Sequence, residues 1–203
     1  MKIRRAFWIP FLAAIALGAN LRAQDVTEPG SGVKFAVRDG DKTLLGVGLR
    51  TKTFLKVKVY AIGLYVADAA LAGPLAAHKG QTASPAFFKT LVEGDFPKEV
   101  RLKFVRDLSE HQIQEAMREA LGKAEKARVD AFVAYFPALH SGDECTMRWA
   151  PGGTLETVVA GQAKAPIADQ AFAAALFAVW LGEKPIQDDI KPALVSRAAE
   201  LLR

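Results

Sequence analysis

The stretch "GVGLRTKTFLKVKVYAIGLYV", Gly46 to Val66, decides how the rest of the chain is read. β-Branched and aromatic residues crowd its second half, which predicts one long strand from about Thr53 to Val66. Lys42 to Val47 reads as a shorter strand before it, and Gly46, Gly48 and Gly63 can host bends or bulges. The stretch also carries Arg50, Lys52, Lys56 and Lys58, with tyrosines at 60 and 65. For the lysines the plain reading is a solvated sheet face. For Arg50, at the glycine-rich entrance, a surface charge and an anion clamp are the alternatives. Strict alternation puts Lys58 and Tyr60 on one face and Val57, Val59 and Ala61 on the other. Tyr60 therefore reaches a covered cleft only if the strand bulges there or its solvated end passes under other elements.

Upstream, Val33 to Arg38 alternates like a strand, and "DGD" at 39–41 is a hairpin signal. "TEPGSG" at 27–32 reads as a turn-rich lead-in. Downstream, "SPAFFKTLV" predicts a short helix from Ser84, and Glu99 to Arg106 alternates again. Then the period changes. Ile113, Ala116, Met117, Ala120 and Leu121 form one helical stripe, with Ser109 and Gln112 as a capping box. Val129, Phe132, Val133 and Phe136 mark a second helix, stopped by Pro137. Glu144–Ala150 and Thr154–Ala160 read as a hairpin across "PGG" at 151–153, followed by helices at about 168–181 and 188–202. Strands, two helices, a hairpin and two more helices imply an α+β fold with helices layered on an antiparallel sheet.

The first 23 residues read differently. A basic start (Lys2, Arg4, Arg5) precedes an apolar run of 14 residues, Ala6 to Ala19, and the small Ala23 stands before Gln24. A membrane span wants about 20 apolar residues. This is the pattern of a cleaved secretory signal peptide. The expectation is a leader at 1–23, a single domain at 24–203, a periplasmic or secreted location, and no stable membrane anchor after cleavage. Four of the 27 basic residues and none of the 22 acidic ones fall in the leader, so the net charge drops from +5 to +1 on its removal. That near-neutral balance argues against a nucleic-acid partner.

Most site chemistry is missing. His78, His111 and His140 stand in separate segments without a partner at zinc-ligand spacing. Cys145 is the single cysteine, so no internal disulfide forms. "GVG" at 46–48 lacks the third glycine and the helix of a dinucleotide loop, and no G-x-S-x-G elbow occurs. Neither a metal nor a cofactor is expected.

The opening stretch resembles the chalcone isomerase family, whose members place an arginine after a glycine-rich turn and then a "K-x-Y/T-A-[IF]-G-x-Y" strand. "AGQAKAPIADQAFAAALFAVWLGEKPI", 160–186, is similar to the family's helix ending in "WLG-x-x-P", and "LKFVRDLSEHQIQEAMREAL" matches the passage between. The resemblance spans roughly Val33 to Leu202. It implies an open-faced sandwich: a large antiparallel sheet covered on one face by a layer of helices, with a ligand cleft between. In the family's true isomerases an arginine holds a phenolate while hydroxyl donors polarise a ketone. By resemblance those donors are a Thr at the position of Tyr60, a Tyr and an Asn on the first long helix, and a Thr or Ser on a later one. Here the helix from Ser109 has no tyrosine, the one asparagine is Asn20 in the leader, and Val179 or Trp180 stands at the last position.

Arg50 with Tyr60 instead resembles the family's fatty-acid-binding branch, a guanidinium fork and a phenol gripping a carboxylate. The implied tail cleft is lined by Phe132, Phe136, Phe172 and Leu176. The resulting expectation is an exported, non-catalytic binder of a small carboxylate with an apolar tail. The rivals are an isomerase acting on a phenolic enone and a structural or partner-binding protein whose cleft has closed.

Overall fold

The computed structural model of the chain describes residues 24–52, 55–122 and 124–203. The expected leader, and the expected strand start at Thr53, lie outside the described residues. The lead-in forms a separate two-stranded ribbon, β1 (Asp25–Thr27) against β2 (Lys34–Ala36). The Glu28 carboxylate closes its turn by accepting from the N–H groups of Gly30 (2.9 Å) and Ser31 (2.6 Å).

The main sheet holds β3 (Arg38–Asp39), β4 (Lys42–Lys52), β5 (Val57–Ala67), β6 (Lys98–Phe104), β7 (Glu144–Ala150), β8 (Thr154–Val159), β9 (Gln162–Ala163) and β10 (Ile167–Ala168). It is antiparallel, in the order β10-β8-β7-β6-β5-β4-β3, with β9 also on β8. Between β5 and β6 come α1 (Asp68–Ala72) and α2 (Pro85–Glu93), the latter capped by the Ser84 hydroxyl. Between β6 and β7 come α3 (Glu110–Ala120), with the Ser109–Gln112 capping box, and α4 (Lys126–Val133). After β10 come α5 (Gln170–Leu181), α6 (Ile190–Ala193) and α7 (Ala198–Leu201).

The opening stretch is two strands, not one. β4 runs on through Arg50 to Lys52, and the chain reverses at Leu55–Lys56, where Lys56 takes a positive φ of 50°. Arg50 therefore faces Tyr60 as its cross-strand partner. The register slips twice. Leu45 is the extra residue between the pairs Leu44–Tyr65 and Gly46–Leu64, and Val59 is the extra residue between Arg50–Tyr60 and Thr51–Lys58. Each bulge reverses the in–out phase of its strand. Between them Tyr60, Ile62, Leu64 and Val66 point under the helices, while Ala61, Gly63 and Tyr65 point to the opposite face.

The main core lies between that first face and the helix layer, where Val100, Leu102, Met147 and Trp149 meet Phe132, Phe136, Leu176, Phe177 and Trp180. The opposite face is covered in part by the ribbon, through a small cluster of Phe35, Leu44, Ala61 and Tyr65. A Cβ on Gly63 would sit 2.7 Å from the Phe35 ring, so glycine lets the ribbon seat there. Beside it a fully buried Glu99 is held by Arg101, Arg148 (2.9 Å) and Lys42 (3.7 Å). The architecture is α+β, an open-faced sheet under a helix layer.

The C-terminal helix expected at 188–202 is instead two short helices. The segment lies across β4: the Arg197 N–H bonds to Leu45 C=O (2.9 Å) rather than to a helical carbonyl. Gly46 makes the approach feasible, since a Cβ there would come within 2.3 Å of Ala193 C=O.

Candidate functional site

Between α3 and α5, over the ends of β4 and β5 and the segment just past β6, a cavity of about 850 Å³ opens. Its origin is residue size. Ala116 and Ala120 on α3 face the cavity, as do Ala175 and Ala178 on α5, with Gly122 and Gly182 beyond the helix ends. Larger side chains there would close the gap at the packing density usual for interiors. Ile113, Met117, Val179 and Ile186 add apolar wall, and Lys52, Arg106, Gln112, Glu119, Glu183 and Lys184 contribute a polar lining.

Arg50 and Tyr60 both line this cavity. Tyr60 is 6% exposed, packs edge-on to Phe104, and its hydroxyl accepts a 3.0 Å hydrogen bond from the Trp180 indole N–H. With Trp180 as donor, the phenol's own proton is left to donate, and no protein acceptor for it occurs among the described residues. Burial pushes the Tyr60 pKa up to about 12, against the opposing effects of the Trp180 hydrogen bond and the Arg50 charge. At neutral pH Tyr60 is therefore a neutral hydrogen-bond donor.

Arg50 forms no ion pair among the described residues. Its Nη1 donates to Thr51 C=O (2.5 Å) and to Gln187 Oε1 (3.1 Å), both hydrogen bonds to neutral oxygens. A guanidinium without a carboxylate, beside a buried phenol with a free proton, can bind an anionic oxygen.

The aromatic lining expected from the sequence lies elsewhere. Phe132, Phe136, Phe172 and Leu176 are buried in the solid core, with the Phe132 ring centroid 5.2 Å from that of Phe136 and 5.4 Å from that of Phe172. They fill space rather than bound it. Gln187 and Arg106 are site residues to which nothing in the sequence pointed, and Trp180, which stands in the sequence only as the replacement for a hydroxyl, is a third. Arg106 lines the cavity just past β6 and, like Arg50, has no carboxylate partner among the described residues. The alanines on the inward stripes of α3 and α5 were the available signal for a cavity. For Gln187 there was none, because its contacts span 136–138 residues of chain. No group of His, Cys, Asp or Glu suited to a metal ion occurs among the described residues.

The same arrangement of strands and helices occurs in solved structures. A fatty-acid binding protein of Arabidopsis thaliana superposes with a TM-score of 0.77 at 20% identity, covering 88% of this chain and 99% of that one. By sequence the chain is 29% identical over 175 residues to chalcone isomerase-like protein 1 of Humulus lupulus, covering 77% of this chain and 82% of that protein. It is 24% identical over 169 residues to a chalcone–flavanone isomerase of Phaseolus vulgaris, covering 72% and 76%. The family model described as chalcone isomerase-like matches residues 32–196, from the ribbon's turn to the segment that crosses β4. With that match spanning the sheet, the helix layer and the cavity between them, the chain belongs to the chalcone isomerase-like family.

Proposed function

We propose that the protein is a non-catalytic binder of a small carboxylate with an apolar tail, a fatty acid in the simplest case. The carrying observation is one cavity wall: Arg50 without an acidic partner among the described residues, next to Tyr60 whose proton has no acceptor among them, opening onto alanine and aliphatic side chains. The carboxylate sits on Arg50 and Tyr60, and the tail lies between α3 and α5. The name of the Arabidopsis neighbour, a fatty-acid binding protein, supports the reading. The lining also speaks against ring closure, since Tyr60 bears the single hydroxyl among the lining residues described. Losing even one oxyanion donor costs about two to three orders of magnitude in rate. The leader-like pattern at 1–23 supports export to a periplasmic or extracellular location.

Titration with a fluorescent fatty acid tests the reading. Saturable binding is expected, with Arg50→Ala weakening it by about 2–4 kcal/mol, the scale for removing one partner of a desolvated charge pair. Arg50→Lys recovers part of the loss, because an ammonium lacks the planar two-point contact. Binding undiminished in Arg50→Ala, or clear acceleration of chalcone cyclisation by the parent, would overturn the proposal.

A further inference from the structure

Gln187 joins the C-terminal segment, the edge of β4 and Arg50. Beyond Thr43, no strand among the described residues pairs with the outer side of β4, since β3 pairs at positions 42 and 43. The Gln187 amide takes the place of a neighbouring strand: Oε1 accepts from Thr51 N–H (2.9 Å) and Nε2 donates to Leu49 C=O (3.1 Å). Nε2 also donates to Asp189 Oδ1 at 2.5 Å. An inverted amide would set oxygen against two oxygens and NH₂ against the Thr51 N–H, so its orientation is dictated. Oε1 is thereby a fixed acceptor, and Arg50 Nη1 donates to it at 3.1 Å.

This settles which part of the guanidinium is engaged. Nη1 carries two protons, and Thr51 C=O and Gln187 Oε1 take both. Nε–H and Nη2 have no partner among the described residues, and together they form a planar fork matching one carboxylate. We infer that Gln187 is a positioning residue for the anion seat: it anchors Arg50 through Nη1 and leaves the Nε–Nη2 edge for a single carboxylate. The inference rests on the reading that this cavity binds a carboxylate.

The test compares cis-parinaric acid with the corresponding alcohol, on the full chain and on Gln187→Met, Gln187→Glu, Arg50→Ala and the Arg50→Ala/Gln187→Met double variant. Gln187→Met is expected to weaken the acid about tenfold, on the scale of one charge-assisted hydrogen bond's influence, and to leave the alcohol unchanged. Gln187→Glu keeps the acceptor for Thr51 N–H and Arg50 Nη1 but gives up the donor to Leu49 C=O and Asp189 Oδ1; its negative charge beside Arg50 is expected to abolish the preference for acid. In the double variant the acid binds as it does to Arg50→Ala alone, because Gln187 acts through Arg50. Equal loss of acid and alcohol, or a further loss in the double variant, would show Gln187 to be merely structural. An unchanged acid preference in Gln187→Glu would also overturn the inference. Failure of the parent chain to bind the acid at all would overturn the carboxylate reading itself, and this inference with it.

Discussion

Val59, unmatched on β4, turns Tyr60 from the face that holds Lys58 to the face under the helices. On its own side Lys58 reaches the ribbon and donates to Gly30 C=O, while Tyr60 meets Trp180 in the core. Alternation alone puts Lys58 and Tyr60 together, and only the bulge separates a solvated lysine from a buried phenol. The types of Arg50 and Tyr60 were legible; their facing each other was not, since the turn between them sits among residues of good strand propensity. Tyr60→Phe is expected to weaken acid binding by about 1 kcal/mol, as for one hydrogen bond. The same change leaves the buried Trp180 N–H without an acceptor and should cost about 1–3 kcal/mol of stability by urea denaturation. A variant that loses neither would remove Tyr60 from the site. Lys98 makes a second residue-level case. It is fully buried, its Nζ 3.8 Å from the centre of the Trp149 ring, and it donates to Gly94 C=O (2.7 Å) and Val92 C=O (3.2 Å). Burial pushes its pKa down to about 7, against the attraction of Asp95. Between that value and the usual lysine range the unfolded chain binds a proton that the folded chain does not, so stability rises with pH. Urea midpoints of the parent should climb from pH 7 to 9, and Lys98→Met should flatten that climb; parallel profiles would refute it.

Small residues decide the two arrangements that matter at the level of elements. Gly46 admits the C-terminal segment onto β4, and that segment brings Gln187 to Arg50. The apolar pattern of 188–202 is helical in period, but bonding across β4 breaks it, a tertiary contact overriding local preference. Gly46→Ala should cost on the order of 2 kcal/mol in urea denaturation, as overpacking of a tight contact does. Stability equal to the parent would mean that the segment shifts freely. The alanines of α3 and α5 leave the cavity open. Ala178→Leu or Ala120→Leu should shorten the longest acid that binds while leaving the urea midpoint near the parent's, because the added carbons enter space that is already empty. A chain-length series of saturated acids reads this directly, and an unchanged length preference would place the tail elsewhere.

Across the whole molecule, the order of elements made the layered α+β architecture legible, because each period change in the sequence marks a change of element. The cavity was harder to read for a physical reason. Large apolar residues such as Phe132 and Phe172 look like pocket lining in a sequence, yet their volume fills the core, and the wall falls to alanines that look unremarkable. The cavity is bounded by α3, α5 and the ends of β4 and β5, and its wall residues Tyr60, Ile113, Met117, Val179 and Trp180 belong to the same continuous core as β7 and α4. A ligand seated there therefore stabilises the cooperative unit rather than one loop. At a free acid concentration about a hundred times its dissociation constant, unfolding should cost about 2.7 kcal/mol more than without ligand. Urea curves with and without acid should shift in midpoint at constant slope, since the surface exposed on unfolding is nearly unchanged. Arg50→Ala, at the same acid concentration, should show most of that shift removed. An equal shift in Arg50→Ala would mean that the acid binds the folded chain somewhere other than this cavity.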